Sequence, residues 1–262
     1  MSDVKPPGRV HAGAEGRILR ITIDNVARRN AFSPEMMREL SDALTWLDRD
    51  DALWAGVIVA EGEHFTAGLD MPKFFGPDAT DRPLPADNVD PFGLTRRCSK
   101  PLVIAVQGIT YTLGIELLLA CDIAIAADTA RFSQLEAKRG IAPLGGAHFR
   151  FLQRMGWGDA MYHLMLCDEF DAARALKIGL VQEVVPAGRE AARALEIAEA
   201  IARNAPLGVQ VTKAGALTYL REGEQAAIDF IATMRARVLG SEDAQEGIRS
   251  FIERRPGVFR GR

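Results

Sequence analysis

The stretch Gln107-Gly-Ile-Thr-Tyr-Thr-Leu-Gly-Ile-Glu116 constrains the fold of this chain more than any other. The apolar run Pro101-Leu-Val-Ile-Ala-Val106 enters it, and a helix-like apolar run over residues 115–121 leaves it. A short apolar run bounded by turn signals reads as a buried strand. A strand that feeds a tight turn and then a helix aims backbone N–H groups and the positive end of the helix at one point. A second strand-to-turn element stands at residues 54–60, running into Glu61-Gly-Glu-His-Phe-Thr-Ala-Gly-Leu-Asp70. Strand, turn and helix recur without a sharp sequence repeat. The expectation is an α/β core to about residue 200 and a helical region over 201–262.

Other segments fill in this frame. Residues 18–24 alternate apolar and polar side chains, as a half-buried strand does. Ser33 before Pro34 is a helix start signal. Met36, Met37, Leu40, Ala43, Leu44 and Leu47 then recur at helical spacing, which predicts an amphipathic helix over 34–49. Strands are expected at 122–127, 131–134 and 181–186. A turn over 140–146 should open a helix near Ala147, with further helices at 159–166 and 171–179. Residues 188–254 read as helical, broken at Pro206, Glu222-Gly223 and Gly240-Ser241. Residues 1–14 read as a loose tail. The Pro- and Asp-rich residues 76–92 read as a mobile loop long enough to serve as a lid.

Composition excludes several classes. The net charge is −3, with both signs interspersed, so nothing points to nucleic acid or an anionic membrane. No apolar run reaches the ~18 residues of a membrane span. The first ten residues lack the apolar core of a signal peptide. Three well-separated cysteines, Cys98, Cys121 and Cys167, suggest free thiols in a reducing compartment, so the cytoplasm is the expected location. The four histidines show no metal spacing, and no metal is expected. GxGxxG, GxxxxGK[ST] and GxSxG are all missing, which argues against dinucleotide binding, P-loop ATP hydrolysis and a nucleophile-elbow hydrolase.

Two acids stand out. Glu116 falls in a first helical turn among Leu113, Ile115, Leu117, Leu118 and Leu119, so it is expected to be buried, where a carboxylate is costly unless paired or used. It would also complement the helix dipole with no function at all. Glu136 precedes Lys138 and Arg139 and would equally suit a surface ion pair. Polarising N–H groups with two carboxylates suggest acid–base chemistry on a carbonyl compound.

In combination, these pieces resemble the crotonase (enoyl-CoA hydratase/isomerase) family over nearly the full chain. The matching segments, in order, are Arg29-Asn-Ala-Phe-Ser, Phe65-Thr-Ala-Gly-Leu-Asp70, residues 101–116, Ala120-Cys-Asp122, Phe132-Ser-Gln-Leu-Glu136, Gly140-Ile-Ala-Pro-Leu-Gly-Gly146 and Ala175-Leu-Lys-Ile-Gly-Leu-Val181. The resemblance implies a spiral of ββα units with a helical C-terminal region that builds trimers or dimers of trimers. It implies a coenzyme A thioester as substrate, with no further cofactor. It also implies an oxyanion hole of two backbone N–H groups, those of Leu69 and Leu113. The second lies where the family has Gly-Gly-Gly and this chain has Thr112-Leu-Gly114, a departure that should alter the acyl pocket. Glu116 is implied in water activation and Glu136 in protonation of the α-carbon. Arg29, Ala67, Asp70, Lys73 and Gly114 match substrate- or CoA-binding positions, and Arg254 and Arg255 are candidates for a neighbouring subunit's phosphates. The leading expectation is an enoyl-CoA hydratase. The alternatives are a Δ3,Δ2-enoyl-CoA isomerase or other crotonase-type acyl-CoA lyase or hydrolase, and a non-catalytic CoA-binding homologue.

Overall fold

The computed structural model describes residues 7–77, 79 and 83–262. The chain opens with β1 (Arg9–Glu15) and β2 (Ile18–Asp24), then α1 (Pro34–Arg49), which starts where Ser33 Oγ accepts from the Met36 N–H. Next come β3 (Ala55–Ala60), the short α2 (Met71–Phe75), β4 (Leu102–Val106), β5 (Ile109–Tyr111) and α3 (Leu113–Ala120). There follow β6 (Ile123–Ala127), β7 (Arg131–Ser133), α4 (Ala147–Leu166), β8 (Phe170–Asp171), α5 (Ala172–Lys177) and β9 (Glu183–Val185). Four helices end the chain: α6 (Glu190–Ala202), α7 (Pro206–Glu222), α8 (Glu224–Leu239) and α9 (Glu242–Ile252).

The strands form two sheets, one ordered β1-β2-β3-β4-β6-β9 and the other β5-β7-β8. Only β1 runs antiparallel in the larger sheet. Each turn of the spiral places one strand in the large sheet and the next in the small one, as β4 then β5 and β6 then β7. The apolar runs read from sequence are these central strands, buried on both faces as parallel strands are. The buried stripe of α1, Met36, Leu40, Leu44 and Leu47, covers one face together with α3. The small residues Ala194, Ala198 and Ala202 let α6 lie close on the other, against Val57, Val59 and Val103.

Three expectations need correction. Within the supposed tail, residues 9–15 form β1, paired along its whole length with β2, and Val10 N–H donates to Glu39 Oε2 at 2.7 Å. Residues 1–6 lie outside the described residues, as do 78 and 80–82 of the expected lid. The rest of that loop is not loose at its second half: Val89 is 1% exposed. The Val89 N–H donates to Thr45 Oγ1 and the Val89 carbonyl accepts from Ser41 Oγ, both at 2.8 Å, which sews the loop to α1. Finally, the helix expected at 159–166 is the second half of α4, which bends at Gly156, where φ is 77°.

Beyond α6 the chain is tied to the core at few points, among them the buried Val211 and the ion pair of Lys213 with Asp122. The helices α7 and α8 pack on each other, and α8 has no buried residue. The last residues return: Phe259 packs beside Trp54, and Arg17 donates to the Phe259 carbonyl. Among the described residues, no helix is long and apolar enough to cross a membrane.

Candidate active site

Two turns at the ends of strands build the site. The first, residues 65–70, is clamped from both sides. On one side Ala67 N–H donates to Arg29 O, Phe32 N–H to Gly68 O and Asp70 N–H to Phe32 O, at 2.8–2.9 Å. On the other, Thr66 N–H donates to Ile109 O and Tyr111 N–H to Thr66 O. Inside the turn, the buried Thr66 hydroxyl donates to Asn30 O and accepts from Gly68 N–H. Asn30 completes the frame by donating to the carbonyls of Glu61 and His64. The second turn leads from β5 into α3 through Thr112, whose N–H donates to Ser133 O. Because Thr66 bridges to Thr110, the two turns are parts of one unit.

Thr112 carries φ 48° and ψ −110°, a conformation that glycine adopts readily and a β-branched residue does not. Facing it, Gly68 has φ 106°, and a Cβ there would collide with Thr112 Oγ1. The Leu113 N–H is the first of α3, and helix geometry leaves it no intrahelical acceptor. Neither it nor the Leu69 N–H donates a hydrogen bond among the described residues. Leu69 and Leu113 both line a cavity of about 390 Å³, and Glu116 and Glu136 line the same cavity. Apolar side chains, among them Met37, Phe74, Phe75 and Phe92, make most of the remaining wall.

Glu116 is 5% exposed. Its Oε1 accepts from the Ala147 N–H at 3.2 Å, so the carboxylate sits at the N-terminus of α4. Burial pushes its pKa up to about 7. The negative charge of Glu136 adds to that rise, while the amides of Ala147 and Gly145 and the Arg150 cation oppose it. Glu136 is 7% exposed, and burial raises its pKa as well. Gln134 Nε2 donates to Glu136 Oε1 at 2.9 Å, and Glu136 Oε2 has no partner among the described residues. A carboxyl that titrates near neutrality beside one with a free oxygen can take up and deliver protons.

The other expected binding residues are dispersed. Ala67 lines the cavity, whereas Arg29, Asp70 and Lys73 do not. Arg28, not Arg29, donates to Asp70 Oδ2 at 2.8 Å, and Lys73 Nζ stands 4.0 Å from the same oxygen. Gly114 faces the interior instead of the cavity: a Cβ there would lie 2.7 Å from Thr66 Cγ2, so its smallness serves packing. Arg255 is held by Glu246 and Glu253. Sequence reasoning missed Gln134, which orients Glu136, and Gly145, whose lack of a side chain makes room for Glu116. Neither leaves a signal beyond its place in a motif.

Comparison with known proteins agrees with this architecture. The enoyl-CoA hydratase/isomerase family profile matches residues 13–262. An enoyl-CoA hydratase of Mycobacterium tuberculosis is 34% identical over 261 residues, covering 94% of each chain. A mevalonyl-coenzyme A hydratase of Aspergillus fumigatus is 33% identical, covering 93% of this chain and 91% of the other. Among solved structures, a probable enoyl-CoA hydratase/isomerase from Mycobacterium abscessus superposes with a TM-score of 0.93 at 43% identity, covering 97% of this chain and 98% of that one. The match spans both sheets, both turns and the C-terminal helices, and this chain belongs to the enoyl-CoA hydratase/isomerase (crotonase) family.

Proposed function

We propose that this protein is an enoyl-CoA hydratase that adds water reversibly across the 2,3 double bond of a 2-enoyl-CoA thioester. The observation that carries the proposal is the convergence of two undonated amides and two buried carboxyl groups on one cavity. The Leu69 and Leu113 N–H groups hold the thioester oxygen. That polarises the conjugated system, makes the β-carbon electrophilic and stabilises the enolate that follows, for which one preorganised donor supplies ~3–4 kcal/mol. Ionised Glu116 accepts a proton from water as the oxygen bonds to the β-carbon. Protonated Glu136 then gives its proton to the α-carbon. The two carboxyls exchange protonation states in one turnover and reset by proton exchange with solvent.

The apolar and aromatic wall suits an apolar acyl group, and coenzyme A enters as part of the substrate. The exposed apolar residues Ile228, Ile231 and Leu239 on α8 support self-association through the C-terminal helices, as a trimer or a dimer of trimers. A cytoplasmic location is consistent with three free cysteines. A second reading, Δ3,Δ2-isomerisation, rests on the free Oε2 of Glu136, since one base suffices to move a proton between carbons.

The deciding experiment measures loss of the conjugated thioester absorbance with crotonyl-CoA and longer or branched 2-enoyl-CoAs, and its appearance with 3-enoyl-CoAs. Hydration by the wild type, lost in both Glu116→Gln and Glu136→Gln, supports the hydratase. Conversion of 3-enoyl-CoA that persists in Glu116→Gln and vanishes in Glu136→Gln supports the isomerase. CoA-ester binding without turnover of any substrate would leave only a binding protein.

A further inference from the structure

A second and larger cavity, about 860 Å³, lies between α4 and α7, and it shares no wall residue with the candidate active site. Its volume is in the range of small-molecule sites. One side is apolar, with Leu119 of α3, Ile201 of α6, and Val209 and Leu217 of α7. The other side is cationic.

Arg97, Arg150, Arg154 and Lys213 all line the cavity, and Asp122 is the sole carboxylate among them. Asp122 is already engaged: its Oδ2 accepts from Lys213 Nζ at 2.6 Å and from Leu102 N–H at 2.8 Å. None of the three arginines forms a salt bridge among the described residues. Arg150 is only 4% exposed and holds the carbonyls of Gly145 and Gly93 through long contacts of 3.4 and 3.3 Å. Arg97 donates one N–H to Ala120 O, and its buried Nε has no partner.

Capping the C-terminus of α3 does not account for this cluster. A helix end is worth about half an elementary charge, against three guanidinium groups. Burial lowers the pKa of Arg150 and of Arg154, and the Arg97 charge lowers both further, outweighing the opposing pull of Asp90 and Glu116 on Arg150 and of Asp122 on Arg154. Buried charge without a partner is costly, and a planar guanidinium fork matches a carboxylate.

We propose that this cavity binds an aliphatic carboxylate, its head on Arg97, Arg150 and Arg154 and its chain along α7. Arg150 also acts on Glu116, but the two cavities share no wall residue, and the inference does not depend on the hydratase assignment.

Isothermal titration of the full-length protein, in whatever assembly it forms, with monomeric decanoate tests the proposal. The expected result is one decanoate per chain. Arg154→Gln should weaken binding about tenfold or more, as loss of a charged hydrogen bond does. Leu220→Asp, on the rim and half exposed, should weaken it similarly, and it carries the test if the arginine variant does not fold. Phe75→Asp, in the wall of the other cavity, should leave it unchanged. Decanol should bind far more weakly than decanoate. No decanoate binding, as when a second copy of the chain covers the cavity, overturns the proposal. So does binding that Phe75→Asp abolishes while Arg154→Gln and Leu220→Asp leave it intact, or equal affinity for decanol.

Discussion

Any side chain at position 145 would place its Cβ 2.5 Å from Oε2 of Glu116. Gly145 comes 29 positions after Glu116 in the chain, on the loop before α4, yet it sets where that carboxyl group lies. In Gly145→Ala the carboxylate must swing off the Ala147 amide or the loop must retreat. The expected outcome is a fall in kcat for hydration of about 10²-fold, the usual contribution of a positioned acid or base. Circular dichroism should show the fold retained. A wild-type rate in this variant would mean that Glu116 does not act from its observed position.

The elevated pKa of Glu116 has a signature in stability. An unfolded glutamate titrates near 4.5, and the folded one near 7. Between these values the folded protein still holds a proton that the unfolded chain has released. Stability is therefore highest below about pH 4.5 as far as this group is concerned, and it falls as pH rises through about 7. The displacement corresponds to on the order of 3 kcal/mol. Urea midpoints measured between pH 5 and pH 8 should fall across that window in the wild type. In Glu116→Gln the decline should be reduced by most of that amount. An identical pH dependence in both proteins would show that Glu116 is not held protonated by burial.

Gln134 touches Glu136 but does not line the cavity, so it is a positioning residue. Gln134→Leu leaves both oxygens of the Glu136 carboxylate without that donor, which favours the protonated form and raises its pKa further. The pH profile of kcat/KM should shift upward in its glutamate-dependent limb. Gln134→Glu, which places a second carboxyl group there, should shift it in the same direction and by more. A lower kcat with an unmoved profile would assign Gln134 a packing role only.

These relationships divide into those a sequence displays and those it hides. The strands β3, β4 and β6 are continuous apolar runs because they are buried on both faces, and the turns at Gly68 and Thr112 follow directly from where those runs stop. Burial of Glu116 was legible from the five apolar residues around it. The strand β1 was not, because it is a sheet edge with Val10 as its one buried side chain. Its pairing is carried by backbone groups that every residue has. Nor was the anchoring of Val89, which depends on hydroxyls of α1 more than forty residues earlier. The binding role assigned to Lys73 by motif position meets a local competitor, the carboxylate of Asp70, which takes Arg28 and approaches Lys73. Gly114 shows the reverse case, since a glycine at a motif position there serves close packing on Thr66 and Thr110.

The departure of Thr112-Leu-Gly114 from a glycine triplet makes the last prediction. Thr112 sits in a strained conformation that costs of order 1–3 kcal/mol, and its Oγ1 occupies the space a Cβ on Gly68 would need. In Thr112→Gly the strain is released, offset by about 0.5–1 kcal/mol of added chain entropy in the unfolded state. A small net gain in stability and a wider acyl pocket follow, read as a higher Tm and a lower KM for branched 2-enoyl-CoAs. Gly68→Ala alone should destabilise by about 2 kcal/mol or more, through both its positive φ and the collision. Made in the Thr112→Gly background, the same change loses the collision and keeps only the φ penalty. The double-mutant cycle should therefore show a coupling of about 1 kcal/mol or more, measured by urea unfolding of all four proteins. Additivity within about 0.3 kcal/mol would show that the two turns do not press on each other at this point.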